Sequence, residues 1–239
     1  MKFTTLFPHQ KPLIGMIHTG SGFGTALDQA KEEVDIYLRH GVHPLVENYF
    51  GSVNECEMVL AWLQREHPDA VYGVNILGDY YEAFCLAKEY GASFVQVDSV
   101  CGHLKRNADA KYARKLASLR ELVDVVVLGG VRFKYQSVQS GRSLEEDLIL
   151  GAERCDAVVC TGTGTGEPTP FAKVREFKSD LMDFPVLVGA GVTLDTVQET
   201  FRLADGAIVG SWFKAGHHDY GAVKEEYVAQ MVEKINEIQ

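Results

Sequence analysis

Short apolar runs alternate with amphipathic segments along most of the chain. In the amphipathic segments, apolar residues recur every three or four positions, as on one face of a helix; the first such set is Ala26, Ala30, Val34 and Tyr37. The apolar runs show no regular polar alternation, which is typical of strands buried on both faces. They predict eight strands, at residues 11–18, 44–47, 71–76, 93–98, 123–128, 157–160, 185–189 and 206–210.

The connections between these strands predict how the strands pair. Each connection is long enough for a helical crossover, so neighbouring strands are expected to be parallel. Helix-start signals support this, since Asp79 can cap one helix and Ser143 with Glu146 has the spacing of a capping box. We therefore expect an α/β fold made of a single (β/α)8 TIM barrel that spans residues 1–239.

Polar and ionisable side chains stand at or just beyond the ends of the first six predicted strands. In such a barrel the carboxyl ends of the strands meet on one rim, where catalytic groups lie. The set predicted to be catalytic consists of His18, Glu47, Asn75, Asp98 and Lys134. Glu47 and Asp98 are the two candidates for a general base. Contacts with a substrate are predicted for Asn48, Thr161 and Gly162.

The same carboxylates leave a second reading open. Glu47, Asp98 and His18 could hold a divalent metal ion together with Asn75, because hard cations prefer oxygen ligands. No closely spaced motif such as H-E-x-x-H supports this site, so no metal ligand is assigned and no cofactor is predicted. Lys134 follows two glycines beyond a strand, which favours a contact with phosphate or carboxylate, or a solvated side chain, over Schiff-base chemistry.

A phosphate site is predicted where the last two strands end. Both strands end in glycine, which lets backbone N–H groups approach and face a ligand. In barrels of this class the phosphate-binding cup lies after strands seven and eight. The residues predicted to form it are Gly189, Ala190, Gly191, Gly210 and Ser211. The alternative is that these glycines only make tight turns.

Two other glycine-rich loops raise the question of nucleotide binding. Gly20, Gly22 and Gly24 follow a strand and precede a helix, as in a dinucleotide-binding fold, but Thr25 stands where the motif needs a small residue. The loop at 161–166, TGTGTG, lacks the Lys-Ser/Thr ending of a P-loop. Both loops fit better as donor-rich loops over a barrel mouth.

Composition narrows the choice of partners. The net charge of −10 argues against binding to nucleic acid or to an anionic membrane surface, whereas a phosphorylated small molecule can be bound by local amides. The five cysteines are widely spread with no C-x-x-C pair, which is typical of reduced thiols. With no signal segment and no long apolar window, the protein is expected to be cytoplasmic. A homo-oligomer is left open.

The chain resembles a known family along nearly its whole length, from Lys11 to about Lys214. The segments that carry the resemblance to the BtpA/SgcQ family are IGMIHTGSGFG, LVENYFG, YGVNILGD, VVCTGTGTGEP, PVLVGAGVT and DGAIVGSWFK. The resemblance implies a ribulose-phosphate-binding type of barrel. It places the family's pocket pattern on His18, Glu47, Asn48, Asn75, Lys134, Thr161, Gly162, Gly189, Gly191, Gly210 and Ser211.

The chain departs from the family pattern at several pocket positions. Gly130 and Tyr135 stand where the family usually has Asp and His, and Gln96 with Asp98 replaces an Arg-x-Asn pattern. The predicted function is binding of a phosphorylated metabolite by an isomerase, epimerase or lyase that acts on a sugar phosphate. The alternative is a metabolite sensor or an assembly factor, since the family name comes from an association with photosystem I biogenesis.

Overall fold

Eight parallel strands form a closed barrel in which each strand pairs with the next along the chain and the last pairs with the first. The computed structural model describes residues 2–8, 11–20 and 25–238. The strands are β1 Leu13–His18, β2 His43–Glu47, β3 Gly73–Asn75, β4 Phe94–Cys101, β5 Val126–Val131, β6 Ala157–Cys160, β7 Val186–Val188 and β8 Ala207–Val209. The predicted (β/α)8 barrel is confirmed.

Helices fill every connection between consecutive strands. The connecting helices are α2 Ala26–Arg39, α3 Val53–Glu66, α4 Tyr80–Tyr90, α5 Arg106–Leu122, α6 Leu144–Ala152, α7 Phe171–Leu181 and α8 Val197–Leu203. The helix α1 Phe3–Leu6 precedes β1, and α9 Glu225–Asn236 follows β8. The capping box of Ser143 and Glu146 is present, and Asp79 caps α4 as predicted. Two short 3₁₀ helices, Ser211–Phe213 and Ala215–His217, follow β8. None of the described helices is long and apolar enough to cross a membrane.

The predicted bounds of β4 and β5 are wrong by several residues. The sequence pattern ended these strands at Asp98 and Leu128, whereas they continue to Cys101 and Val131. Gly129 and Gly130 do not terminate β5 but lie within it. A Cβ atom at Gly130 would overlap the carbonyl oxygen of Asp98, so glycine is required there by the close approach of β4. The register of the two strands also shifts between Val97 and Cys101.

The barrel interior is closed at the end where the strands begin. The helix α1, which the sequence pattern did not predict, places Phe3 and Phe7 under the barrel, and the Phe7 ring lies 6.1 Å from that of Phe94. These rings belong to an apolar cluster that includes Leu45, Val126 and other inward-facing strand residues. A second and larger cluster fills the space between strands and helices. The carboxyl ends of the strands therefore form the accessible end of the barrel.

Candidate functional site

A cavity of about 620 Å³ opens at the carboxyl ends of the strands. Its size lies within the range of about 300–1,000 Å³ that is common for small-molecule sites. The predicted residues that line it are His18, Glu47, Asp98, Lys134, Gly189, Ala190, Gly191, Gly210 and Ser211. Side chains of Tyr49, Leu77, Phe133, Tyr135 and Trp212 add apolar surface to its walls. One cavity thus contains both the candidate acid–base groups and the glycine-ended strands.

Glu47 lies at the floor of this cavity. It is the last residue of β2, and the strand register sets it beside His18 of β1 and Asn75 of β3. Its side chain is buried, and Asn75 Nδ2 donates to its Oε1 at 2.6 Å. Burial first, and then the negative charge of Asp98, raises the pKa of Glu47 to about 8. At neutral pH this carboxyl group therefore keeps its proton.

Asp98 is connected to Glu47 through a shared amide. Asn75 Nδ2 also donates to Asp98 Oδ1 at 3.1 Å, and Gln96 Nε2 donates to the same oxygen at 3.2 Å. Gln96 precedes Asp98 by two residues on β4, so strand alternation points both side chains to the same face. Asn75 is buried beneath the two carboxyl groups and is not part of the cavity lining. It holds them close together while satisfying an oxygen of each.

His18 is neutral and its tautomer follows from its contacts. Its Nδ1 lies 2.8 Å from the backbone carbonyl oxygen of Asp219, which can only accept, so Nδ1 carries the proton. Its Nε2 lone pair then faces Glu47 Oε2 at 3.4 Å. Burial first, and then the charge of Lys214, lowers the pKa of His18 to about 3. The contact between His18 and Glu47 is thus made by two neutral groups at neutral pH, and it is not an ion pair.

Lys134 ties two loops together above the cavity. Its Nζ donates to Thr165 Oγ1 at 3.0 Å, and the Tyr135 hydroxyl accepts from the Thr165 amide at 2.6 Å. These bonds join the loop after β5 to the TGTGTG loop after β6. The positive charge of Lys134 also acts at the cavity floor. It adds to the lowering of the His18 pKa and partly offsets the raising of the Glu47 pKa.

The three residues predicted to contact a substrate lie outside the cavity lining. Asn48 Oδ1 accepts from the amide of Leu77 at 2.8 Å, which holds the loop after β3. The Thr161 hydroxyl accepts from the backbone amide of Lys134 at 3.0 Å. Gly162 packs against the carbonyl of Pro168. The side chains of Asn48 and Thr161 thus support the loops around the mouth, and a direct role of the three residues in substrate binding stays a prediction.

The wall at β7 and β8 presents backbone amides to the cavity. The amide of Gly189 already has a hydrogen-bond partner, because it donates to the carbonyl of Cys160 at 2.9 Å. The amides of Gly191 and Ser211 have no hydrogen-bond partner in the part of the chain that the structure describes. Gly191 has φ of +65°, and a Cβ atom there would overlap the carbonyl of Glu167. Its glycine is therefore required by the loop after β6, whether or not an anion binds.

Sequence reasoning missed a buried lysine behind His18. Lys214 is fully buried, and its Nζ donates to the same carbonyl oxygen of Asp219 at 3.3 Å. The signal was a lysine placed directly after the apolar residues Trp212 and Phe213, where a solvated side chain is not expected. Gln96 was also missed as a site residue, although its spacing from Asp98 could have identified it.

The sequence left open that Glu47, Asp98, His18 and Asn75 bind a metal ion. In the structure these side chains contact one another. Among the described residues, no group of three or more His, Cys, Asp or Glu side chains is placed to hold a metal ion. The five cysteines are free thiols, as predicted. Gly22 and Gly24 of the first glycine-rich loop lie outside the described residues, so the role of that loop stays a prediction.

Comparison with known proteins agrees with the fold and the resemblance. An uncharacterized protein of Thermococcus kodakarensis is 28% identical in an alignment that covers 96% of this chain and 97% of that protein. The putative sgc region protein SgcQ of Escherichia coli is 25% identical over 180 residues, 70% of this chain and 65% of SgcQ. Phosphoribosyl anthranilate isomerase from Thermus thermophilus superposes with a TM-score of 0.63 at 14% identity, covering 95% of this chain and 100% of the isomerase, a likeness of fold alone. The sequence profile of the BtpA family matches residues 6–237, and the chain belongs to that family.

Proposed function

We propose that the protein is an enzyme that transfers a proton on a phosphorylated small metabolite, as an isomerase, epimerase or lyase of sugar phosphates does. The observation that carries the proposal is the buried carboxyl group of Glu47 at the floor of a cavity, with a pKa of about 8. A side chain with a pKa near the working pH can both give and take a proton efficiently. A buried carboxyl group without such a role destabilises the fold, because its charged form is poorly solvated.

The phosphate end of the substrate is assigned to the wall at β7 and β8. The unpartnered amides of Gly191 and Ser211 line the cavity there and can donate to an anion. The overall charge of −10 does not oppose this, because amide donors act locally. A phosphate held at this wall would fix one end of the substrate and bring the rest over Glu47 and Asp98.

The two carboxyl groups then have different roles. Glu47 holds a proton at neutral pH and is the donor, with the Nε2 lone pair of His18 facing it. Asp98, whose charge helps to raise the pKa of Glu47, is the acceptor. The sequence alone left Glu47 and Asp98 as equal candidates for the base, and the burial of Glu47 favours Asp98 for that role. Removal of a proton by Asp98 and return of one from Glu47 is the chemistry of an isomerase or epimerase.

Ligand binding is the first test of this proposal. A panel of phosphorylated sugars and their unphosphorylated forms is titrated by calorimetry into the wild type and into Gly210→Ala. A Cβ atom at Gly210 would lie 3.3 Å from the flexible Met16 side chain and 3.5 Å from Cε1 of His18, so the variant should fold with a methyl group added to the cavity lining next to Ser211. We expect binding of a phosphorylated sugar only, weakened at least tenfold in Gly210→Ala. Equal binding of the unphosphorylated forms would contradict the phosphate assignment.

Turnover is tested with any ligand that binds. Solvent-deuterium exchange followed by NMR, with and without Mg²⁺, Mn²⁺ or Zn²⁺, reports proton transfer. Asp98→Asn and Glu47→Gln are each expected to reduce exchange by a factor on the order of a hundred or more, with little change in affinity. Asp69→Asn, which removes an exposed carboxylate, is the control. A bound ligand that neither exchanges nor reacts would replace the enzyme proposal with the metabolite-sensor alternative.

A further inference from the structure

The loop that follows β8 turns back over the cavity and is closed at its base. Lys214 and Val223 form an isolated antiparallel bridge, and the amide of Ala215 donates to the carbonyl of Ala222 at 3.0 Å. The intervening residues 215–222 therefore form a loop with fixed ends. Its half-buried residue Asp219 reaches the cavity floor through its backbone carbonyl.

That carbonyl accepts hydrogen bonds from two side chains. His18 Nδ1 lies 2.8 Å from it and Lys214 Nζ lies 3.3 Å from it. A carbonyl oxygen has two lone pairs, so it can accept from both at once. Because the ammonium group of Lys214 is fully buried and directed at this oxygen, it restricts where the carbonyl can point. The orientation of the imidazole ring follows from that of the carbonyl.

Glu33 of α2 is the acidic group that most favours the charged form of the buried Lys214 side chain. Its Oε1 accepts from the amide of Val223 at 3.1 Å and from Gln29 Nε2 at 2.8 Å, which ties α2 to the base of the loop. Its Oε2 is buried and has no hydrogen-bond partner among the described residues. The charges of Glu33 and Lys214 stabilise each other, although burial opposes both charges. Removal of either partner would leave the other charge buried and uncompensated.

We infer that Lys214, with Glu33 as its counter-charge, is a positioning residue that uses the Asp219 carbonyl to keep His18 protonated on Nδ1, so that Nε2 faces Glu47. The inference rests on the proposed function, because it explains how the proton donor Glu47 is oriented. Lys214 is not part of the cavity lining. A lysine with only a packing role would have no effect on the tautomer of His18.

Ionisable groups among the described residues act on His18 and enter any test that changes pH. Glu47 faces it from β2, and Lys134 and Lys214 act on it through their charges from the loop after β5 and from the segment after β8. The contact with Asp219 is made by the backbone carbonyl of that residue. Tyr49 also stacks on the ring, with the ring centroids 4.7 Å apart. A change seen at His18 can be attributed to Lys214 only when Glu47 is kept from titrating.

The inference is tested by ¹⁵N NMR of the histidine side chains, which needs no substrate. The His18 signals are assigned by their loss in His18→Gln. In the wild type we expect a neutral ring protonated on Nδ1 from pH 5 to pH 7. In Lys214→Met we expect a mixture of tautomers, or protonation with a midpoint at least one pH unit higher than in the wild type. Lys224→Met, which removes an exposed lysine ten residues further along, should leave both features unchanged.

Two results would overturn the inference. The first is a wild-type His18 protonated on Nε2, and the second is a Lys214→Met spectrum that matches the wild type. If Lys214→Met fails to fold, the Glu47→Gln variant is titrated to alkaline pH instead. In that variant residue 47 cannot titrate, so it does not contribute to a change at His18. The His18 shifts should follow deprotonation of Lys214, whose pKa burial lowers. Shifts that stay constant through that step would also overturn the inference, and none of these results depends on turnover.

Discussion

Burial moves the pKa values of Glu47 and His18 in opposite directions. It raises that of the carboxyl group to about 8 and lowers that of the imidazole to about 3, because in both cases the charged form is poorly solvated. The two side chains thus face each other at 3.4 Å as neutral groups over a wide pH range. At neutral pH this contact therefore places no charge of its own in the buried floor of the cavity.

The pKa of Glu47 predicts how stability depends on pH. The ordinary value is 4.5, so between pH 4.5 and about 8 the unfolded chain has lost a proton that the folded chain keeps. The unfolded state then binds fewer protons, and the free energy of unfolding falls as pH rises through this window, by up to about 5 kcal/mol. Glu47→Gln removes this fall. We expect the variant to lose less stability than the wild type between pH 5 and pH 9 in urea unfolding.

Glu32→Gln is the matched control, because Glu32 is exposed on α2. It should reproduce the pH dependence of the wild type. The lowered pKa of His18 has its effect at acid pH. Between pH 6.5 and about 3 the unfolded chain binds a proton on this residue that the folded chain does not, so the free energy of unfolding decreases as pH falls through this range. A pH dependence of Glu47→Gln that equals that of the wild type would contradict a raised pKa for this residue.

The site residues at the carboxyl ends of the strands could be predicted from the sequence. His18, Glu47 and Asp98 were placed on one rim because parallel strands in a barrel have their carboxyl ends together. Side-chain direction was harder to predict, since Asn48 and Thr161 lie next to the rim but bond to loop backbone. For Lys214 the sequence offered only its apolar neighbours as a signal, because its burial depends on a loop that folds back over β8.

At the scale of elements, buried ion pairs hold the loop that carries Lys134. Asp147 of α6 is fully buried and accepts from Arg132 Nε at 2.9 Å and from Ser140 Oγ at 2.8 Å. Arg142 connects this group to Asp109 of α5 at 2.8 Å. The loop between β5 and α6 is thereby anchored on both sides. None of this was visible in the sequence, because the partners come from separate segments.

Asp147→Ala is predicted to destabilise the protein strongly. The change leaves Arg132 and Ser140 without their buried partner, and loss of one member of a buried pair costs about 3–5 kcal/mol. Because Arg132 is partly exposed, we expect a value near the lower end, measured by urea unfolding. Glu199→Ala breaks the exposed pair with Arg175 and should cost less than about 1 kcal/mol. Similar losses in the two variants would contradict a structural role for the buried network.

The bounds of elements were predictable where glycine marks an end and wrong where glycine marks a close approach. Gly91 ends α4 in the left-handed conformation. Gly130 has the same sequence signal but lies inside β5, because the carbonyl of Asp98 occupies the space of a Cβ atom. A single sequence does not distinguish these two uses, since the second depends on the register between β4 and β5.

At the scale of the whole molecule, the two ends of the barrel have separate tasks. The carboxyl ends of the strands carry the cavity, while Phe3 and Phe7 close the opposite end. Layers of buried side chains inside the barrel, including Leu45, Phe94 and Leu187, lie between them. Stability at the closed end and chemistry at the open end can therefore change independently.

Phe7→Ala tests this separation. The Phe7 ring contacts those of Phe3, His43 and Phe94, with centroid distances of 5.1, 5.0 and 6.1 Å. Loss of such a buried ring costs about 3–5 kcal/mol, because a cavity remains where it packed. We expect a loss of this size in urea unfolding, whereas Leu122→Ala, at a side chain 68% exposed, should change stability by less than about 0.5 kcal/mol.

The folded Phe7→Ala protein should keep an unaltered cavity. Its His18 ¹⁵N signals should match those of the wild type, because Phe7 lies at the far end of the barrel and contacts none of the residues that face His18. Measurement at a temperature well below the midpoint of thermal unfolding keeps the population folded. A shifted His18 signal, or a stability equal to that of Leu122→Ala, would show that the two ends are not separated in this way. Since stability and the His18 signal are recorded on the same sample, each half of the prediction can fail on its own.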